Sequence, residues 1–255
     1  MRHLLIIASL LTIGEIVAQS KNHEKIIFSL EYARHQYAMD SLNETYMLFN
    51  INETGWLKNK ISSGQYFGLS LIYRPKAYFD LGLKFAYQYG TSSHTSSSEI
   101  YGISPIPLEA VGYFEVNTSS IIINPTISIY VSQILNYFHP KENRIFNYGF
   151  EMNSGLGLNS WIGHLSLISK EHDYEYLSSG RFSNSALNTQ LGLKLELTLS
   201  RSNIFSNLGL RGGYQFYKTG KILSSSGEEF VSYSGTISHL DFSGFYYGIY
   251  LKFGK

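Results

Sequence analysis

The sequence has 255 residues, a formal net charge of +1 and no cysteine, with 23 glycines, 21 tyrosines and 16 phenylalanines. This near-neutral balance argues against nucleic acid as a partner, because nucleic-acid-binding domains carry an excess of basic residues. The lack of cysteine excludes a disulfide scaffold, a thiolate metal site and a bacterial lipoprotein anchor.

The N-terminus has the composition of an export signal. Arg2 and His3 precede a mostly apolar run over residues 4–13, and Ala18 precedes a cleavage site before Gln19. Because this run is too short for a spanning helix, we predict a signal peptide over residues 1–18 and a single mature domain over residues 19–255. An interfacial anchor helix is the alternative.

Three segments that alternate apolar with small or polar residues come next, at residues 25–36, 64–74 and 78–90. A period of two predicts strands with one apolar face. A polar, asparagine-rich stretch separates the first two segments, and Arg74-Pro75-Lys76-Ala77 predicts a tight turn between the second and the third.

Five more segments continue the pattern, at residues 121–137, 145–159, 187–199, 204–217 and 242–255. Residues 91–120 are rich in serine and contain Pro105 and Pro107, so they are predicted to be mainly loop, with residues 108–116 able to extend a hairpin. Residues 161–168 can prolong the fifth strand, and residues 169–185 and 218–241 are predicted loops. Short turns at residues 139–143 and 201–203 complete a strict alternation of long and short connections.

The pattern predicts an all-β fold: an eight-stranded antiparallel up-and-down transmembrane β-barrel with short periplasmic turns and four long extracellular loops. A soluble β-sandwich is the alternative, since it also alternates. However, the water-facing side of a sandwich would carry many charges. Here the second face of each segment is rich in glycine, serine, asparagine and tyrosine, which suit a narrow barrel interior.

Odd- and even-numbered residues of a strand point to opposite faces, and this parity also predicts which side chains face the lumen and which meet the membrane interfaces. Four acidic and four basic residues face inward, where they should pair or be hydrated. We interpret them as a packed plug, with a gated polar path as the alternative. The predicted lumen network is Glu31, Asp80, Lys84, Glu151, Lys194, Glu196, Arg211 and Lys252, and the predicted aromatic girdle is Tyr73, Phe79, Tyr87, Tyr89, Tyr148, Tyr214 and Phe253.

The mature chain resembles the small eight-stranded outer-membrane proteins of the OmpA, OmpX and OmpW type. Its closing residues 241–253, Asp-Phe-Ser-Gly-Phe-Tyr-Tyr-Gly-Ile-Tyr-Leu-Lys-Phe, and the Gln after the predicted cleavage site resemble outer-membrane barrels of the Bacteroidota. The resemblance implies a location in the cell outer membrane, contact with its lipid and lipopolysaccharide, and insertion by the barrel-assembly machinery. Such proteins commonly end on an aromatic residue, whereas Phe253 is followed by Gly254 and Lys255.

His164-Leu165-Ser166 is the candidate catalytic motif. Residues two apart on a strand share a face, and a histidine can activate a serine hydroxyl, with Glu171 or Glu175 to orient the imidazole. The motif resembles the His-x-Ser of the lipid A 3-O-deacylases, eight-stranded barrels whose site lies on the outer wall. That family continues the motif with asparagine, where this chain has Leu167.

The sequence supports three functional hypotheses. The first is a non-enzymatic barrel with a structural, adhesive or partner-binding role, in which the extracellular loops contact a protein or glycan. The second is an outer-membrane esterase like the lipid A 3-O-deacylases, and the third is a narrow channel for small hydrophobic molecules, as in the OmpW type. No phosphate loop, dinucleotide fingerprint or HExxH motif is present, so no cofactor and no metal is predicted.

Overall fold

The computed structural model describes residues 25–40, 42–43, 60–100, 108–138, 145–169, 174–199, 205–224, 226–227, 229 and 239–254. The predicted signal peptide lies outside these residues and stays a prediction. Among the described residues, no helix is long and apolar enough to cross a membrane. The elements are β1 (Lys25–Gln36), β2 (Ser63–Lys76), β3 (Phe79–Ile100), β4 (Leu108–Ile129), α1 (Val131–Phe138), β5 (Phe146–Ser169), β6 (Tyr174–Thr198), β7 (Phe205–Phe216), β8 (Leu223–Ser224) and β9 (Gly244–Phe253).

The eight long strands form one closed antiparallel sheet. Each pairs with the next along the chain, β7 pairs with β9, and β1 pairs with both β2 and β9, so the ring closes. The two-residue β8 adds only to the side of β6. Closure gives every barrel strand two neighbours and leaves no free edge within the ring. The predicted eight-stranded up-and-down barrel is confirmed.

The barrel is apolar outside and polar inside. On β3, the side chains of Phe85 and Tyr87 are 46% and 45% exposed, whereas Lys84 and Gln88 are 2% and 0% exposed. The same division holds on the other barrel strands. A belt of large apolar side chains on all sides would be unfavourable in water, so this wall faces the acyl chains of a membrane. Its members include Ile26, Phe67, Leu83, Ile121, Ile123, Leu156, Leu158, Leu191, Leu193, Leu210 and Ile249.

Two of the predicted extracellular loops are mostly strand. β3 pairs with β4 as far as Ile100 and Leu108, and β5 pairs with β6 as far as Ser169 and Tyr174, so the connections are only residues 101–107 and 170–173. These four strands have 22 to 25 residues, about twice the ~10 that a tilted strand needs to cross a bilayer. Both faces of the projecting part lie outside the membrane, so its sequence lacks the apolar alternation.

A helix replaces the predicted end of the fourth strand. β4 ends at Ile129, and α1 begins after Tyr130, whose carbonyl accepts from the N–H of Ile134 at 3.2 Å. The apolar residues of this segment recur at a spacing of three and four rather than two, which favours a helix. The connection between β4 and β5 is therefore longer than the short turn predicted at residues 139–143.

Inward glycines leave room for tyrosine rings that cross the lumen. A Cβ atom on Gly209 would overlap the ring of Tyr250, which is buried. Gly212 lies on the same strand but on the outward parity, and a Cβ there would meet nothing nearer than the Tyr246 carbonyl oxygen at 3.4 Å. Alanine substitutions at Gly209 and Gly212 therefore distinguish the effect of crowding the lumen from the general effect of replacing a glycine.

We expect Gly209→Ala to lower the free energy of unfolding by about 1–3 kcal/mol, the usual cost of overpacking, because the Tyr250 ring has no space to move. Gly212→Ala should leave it almost unchanged. The measurement is the temperature at which the folded, fast-migrating form on SDS gels converts to the unfolded form. Equal midpoints for the two variants would show that the lumen is not packed in this way.

Candidate functional site

The centre of the lumen contains a network of five charged side chains. The Lys84 Nζ lies 3.1 Å from Glu31 and 3.0 Å from Glu151, and the Lys194 Nζ lies 2.6 Å from Glu151. The Arg211 guanidinium bridges the two carboxylates, at 2.6 Å from Glu31 and 3.1 Å from Glu151. Three cations thus share two carboxylates. We call these five residues, from β1, β3, β5, β6 and β7, the central network.

A second network closes the periplasmic end of the lumen. The Lys252 Nζ lies 2.6 Å from Glu196 and 3.2 Å from Asp80, and the Arg74 Nε lies 2.6 Å from Asp80. The Tyr130 hydroxyl lies between the carboxylates of Asp80 and Glu196, 2.6 Å from a Glu196 oxygen. We call these five residues the periplasmic network. They seal the barrel where β2, β3, β6 and β9 approach the periplasmic rim.

The structure places all eight predicted lumen charges inside the barrel and divides them between the two networks. The sequence analysis missed Arg74, which it assigned to a turn. Its parity is that of Ser70 and Ile72 on β2, so the alternation alone would have placed it inside. With Arg74, the networks contain five cations and four carboxylates.

Neutral polar and aromatic side chains fill the lumen above the central network. His35 is fully buried between Tyr66 and Tyr246, with ring centroids 4.6 and 5.1 Å away. The Arg211 guanidinium lies over the Tyr246 ring, with its Cζ 4.5 Å from the ring centroid. A layer of buried amides continues the contacts across the barrel, and it consists of Gln88, Asn124, Asn153, Asn188, Gln190 and Gln215.

An apolar cluster closes the extracellular mouth. The first loop enters it, since the Asn43 amide exchanges two hydrogen bonds with the Ile61 backbone at 2.9 and 3.1 Å. The last connection covers it, since the Phe242 N–H donates to the Tyr217 carbonyl at 2.8 Å. The lumen is therefore occupied from the periplasmic network to this cluster. We call the cluster the extracellular cap, and its members are Tyr37, Met39, Leu42, Ile61, Val116, Trp161, Tyr217, Ile222, Leu240 and Phe242.

Most of the predicted girdle lies on the outer wall. Tyr73, Tyr87 and Tyr148 are exposed, and Phe79, Tyr89 and Tyr214 are partly exposed. Phe253 has the same outward parity, but its neighbours cover it and it is only 7% exposed. It packs against Phe205 at a centroid distance of 5.1 Å and pairs with Phe28 on β1. Its ring therefore covers the closing seam of the barrel.

His164 and Ser166 lie on the outward face of β5, in the part that projects above the lipid belt. His164 is exposed and Ser166 is half-buried. The strand register puts His164 opposite Glu115 on β4, whereas Glu175 on β6 is opposite Ile168. The carboxylate that the register brings to the imidazole is therefore Glu115 rather than the predicted Glu175. Glu171 lies outside the described residues.

The surroundings of Glu115 keep it charged. Its carboxylate accepts hydrogen bonds from the Asn117 amide at 2.8 Å and from the Tyr113 hydroxyl at 3.0 Å. These bonds hold the pKa of Glu115 below its usual value, because they favour the ionised form. An ionised carboxylate beside His164 has the charge needed to orient an imidazole. In the described part of the chain, no three His, Asp or Glu side chains form a metal-binding group.

Solved structures similar to this chain include outer-membrane proteins. A major outer membrane protein from Thermus thermophilus is 12% identical, with 89% of this chain and 99% of that chain covered and a TM-score of 0.39. OprG from Pseudomonas aeruginosa is 13% identical, with 91% and 97% covered and a TM-score of 0.37. Ail from Yersinia pestis is 11% identical, with 91% and 100% covered and a TM-score of 0.32. No family model and no curated protein matches the chain.

These similarities are too distant to carry the assignment, which depends on the strand pairing and burial of this chain. A closed antiparallel barrel with a lipid-facing belt and a polar interior is how strands cross an outer membrane. The chain is a small integral barrel of the cell outer membrane, in contact with its lipid, as predicted. Its Bacteroidota origin and its insertion by the barrel-assembly machinery stay predictions.

We expect Arg211→Ala to lower the free energy of unfolding by about 3–5 kcal/mol, because it removes the contacts with Glu31 and Glu151 and leaves a cavity in the packed lumen. Arg34→Ala is the matched control. Arg34 is exposed on the outward face of β1, and its guanidinium donates to the Ser63 hydroxyl at 3.1 Å. Its loss should cost less than about 0.5 kcal/mol. Urea unfolding in lipid vesicles measures both, and similar midpoints would contradict a stabilising role for the central network.

Proposed function

We propose that this protein is a closed outer-membrane platform with a structural or adhesive role, whose extracellular hairpins bind a protein or glycan partner. One observation carries the proposal, namely that side chains occupy the lumen from the periplasmic network to the extracellular cap. A filled lumen leaves two surfaces for function. The first is the wall that faces lipid, and the second is the part of the chain that projects from the cell.

The projecting part is a single four-stranded sheet. β4 pairs with β3 on one side and with β5 on the other, and β5 pairs in turn with β6. The pairs between β4 and β5 continue up to Val111 and Ile168. This sheet continues the strands of the barrel without a hinge, so it presents its surface in a fixed orientation. Binding residues are often found on segments that a rigid scaffold positions in this way.

The exposed side chains of this sheet suit polar recognition. Thr91, Ser93, Tyr113 and Arg181 are exposed on its outer side. Hydroxyl groups and a guanidinium form hydrogen bonds with sugars and peptides, and a tyrosine adds a rigid apolar surface at a low entropic cost. The composition therefore fits a protein or glycan ligand better than it fits an apolar one.

The strand register allows the sheet to be shortened without a change in the barrel. Residues 93–115 are replaced by Asn-Gly, a two-residue hairpin turn, because Ser92 pairs with Val116. Residues 164–179 are replaced in the same way, because Gly163 pairs with Gly180. Intact and shortened proteins in lipid vesicles are then applied to arrays of glycans and of extracellular matrix proteins. We expect the intact barrel to bind and the shortened barrels, still folded on SDS gels, to lose binding at least tenfold. Equal binding, or none by the intact protein, contradicts the proposal.

The filled lumen predicts that the barrel does not conduct. In planar bilayers the purified protein should give no steady ion current. Arg211→Ala should leave this baseline unchanged even though it weakens the barrel, because the periplasmic network and the extracellular cap still block both ends. A large increase in current from this variant would instead support the channel hypothesis.

A second candidate function, an esterase that acts on lipid A, is favoured by one observation. The register brings an ionised Glu115 opposite His164, with Ser166 two residues further along the same face. In this hypothesis His164 takes the proton of the Ser166 hydroxyl as that oxygen attacks an ester carbonyl, and Glu115 orients the imidazole. His164 then gives the proton to the departing alcohol oxygen, and water hydrolyses the acyl-serine to release the fatty acid and restore the serine. Purified protein is incubated with lipopolysaccharide, and released fatty acid is measured.

We expect Ser166→Ala to abolish the release of fatty acid and Glu115→Gln to reduce it by at least tenfold. Glu175→Gln should have little effect, which makes it the matched control for the loss of a carboxylate. Absence of release by the intact protein, or release that survives Ser166→Ala, excludes the esterase.

A further inference from the structure

The helix α1 lies at the periplasmic rim and has one polar side directed toward the barrel. Ser132 is fully buried, and its hydroxyl oxygen accepts from the Tyr148 N–H at 3.1 Å. The Gln133 amide donates to the Asn147 side chain. These bonds hold α1 against the first residues of β5. The helix is thus fixed to the rim rather than free to leave it.

The opposite side of α1 is apolar and outward. Val131, Leu135 and Phe138 recur at a spacing of four and three residues, which places them on one stripe of the helix. Leu135 is 43% exposed and Phe138 is 69% exposed. The helix has no acidic residue in its first turn and no basic residue in its last turn. Its exposed side therefore attracts apolar groups and not charged ones.

An apolar groove of about 420 Å³ lies on the outer wall beside α1. The first residue of the helix and the outward side chains of β5, β6 and β7 form it. These side chains belong to the belt that faces acyl chains, so the groove is continuous with a surface that lipid already covers. Its lining includes Val131, Tyr148, Phe150, Leu193, Leu195 and Leu210.

We propose that α1 is an interfacial helix of the periplasmic leaflet and that the groove beside it binds an acyl chain of a phospholipid. The helix lies across the end of the lipid belt, where an amphipathic helix buries its apolar side among acyl chains and keeps its polar side toward the headgroups. Here the polar side is satisfied by the barrel itself. Val131 belongs to both the helix and the groove, so one lipid chain contacts both.

The lack of cysteine in the chain allows a direct test with single-cysteine variants. Leu135→Cys and Phe138→Cys are labelled with an environment-sensitive fluorophore and placed in phospholipid vesicles. Lys76→Cys is the control, because Lys76 is exposed at the end of β2 on the same rim. We expect labels at 135 and 138 to be quenched at least twofold more strongly by acyl-chain nitroxide lipids than the label at 76, which aqueous iodide should quench instead.

A second measurement tests the groove. Phospholipid that stays bound to the detergent-washed barrel is counted by mass spectrometry for the intact protein and for Val131→Asn, because Val131 belongs to both the apolar stripe of α1 and the groove. We expect this variant to remain folded on SDS gels and to lose at least half of the retained phospholipid. Labels at 135 and 138 that respond to iodide as the Lys76 label does would overturn the proposal. Energy transfer between labelled copies without nitroxide quenching would also overturn it, because a second copy would then occupy this face.

Discussion

The requirement that a chain in lipid must pair all its backbone groups within itself determines the rest of this structure. The ring closes where β1 pairs with β9, from Phe28 with Phe253 to His35 with Tyr246. An eight-stranded ring is only wide enough for side chains to fill it. The alternation of the strands then sends every second side chain into that narrow space. The chain must therefore pack polar and charged groups at its centre and apolar groups on its surface, which is the reverse of their distribution in a soluble protein.

Charges buried in this way are unfavourable as isolated pairs, since desolvation can exceed the attraction between two ions. In the lumen this cost is reduced because each carboxylate contacts several cations or hydroxyl groups. Glu151 contacts Lys84, Lys194 and Arg211 at once, and the hydroxyls of Tyr130 and Tyr250 both approach one oxygen of Glu196. The tyrosine rings fit because the facing positions are glycines such as Gly209. Charge, hydroxyl and glycine positions thus depend on one another, and together they favour a single arrangement of the strands.

The alternation in the sequence predicted the parts of the fold in which one face meets lipid and the other meets the lumen. This is why the eight strands and the eight inward charges could be placed from the amino-acid pattern alone. Alternation is not required where both faces of a strand are outside the membrane. Residues 91–100 and 174–186 therefore lack the strand pattern, although they form strands whose backbone hydrogen bonds come from their hairpin partners. Alternation also does not show which side chains meet in the tertiary structure, such as the cross-strand pair of Trp161 with Phe182 at 4.9 Å and the loop contact of Asn43 with Ile61. Glu115 was missed for the same reason, because only the register shows that it faces His164.

The filled interior has a consequence for where this protein can act. A side chain in the lumen that took part in transport would have to leave contacts that stabilise the whole ring, so activity there would compete with folding. At the extracellular and periplasmic rims, activity does not compete with folding in this way. On the extracellular side, the strands continue into a sheet whose base is covered by the extracellular cap, which fixes the sheet to the barrel. On the periplasmic side, α1 uses its polar side for contacts with β5, and in the proposed arrangement lipid covers its apolar side. Neither proposed role requires the contacts inside the lumen to open, so both are compatible with a packed interior.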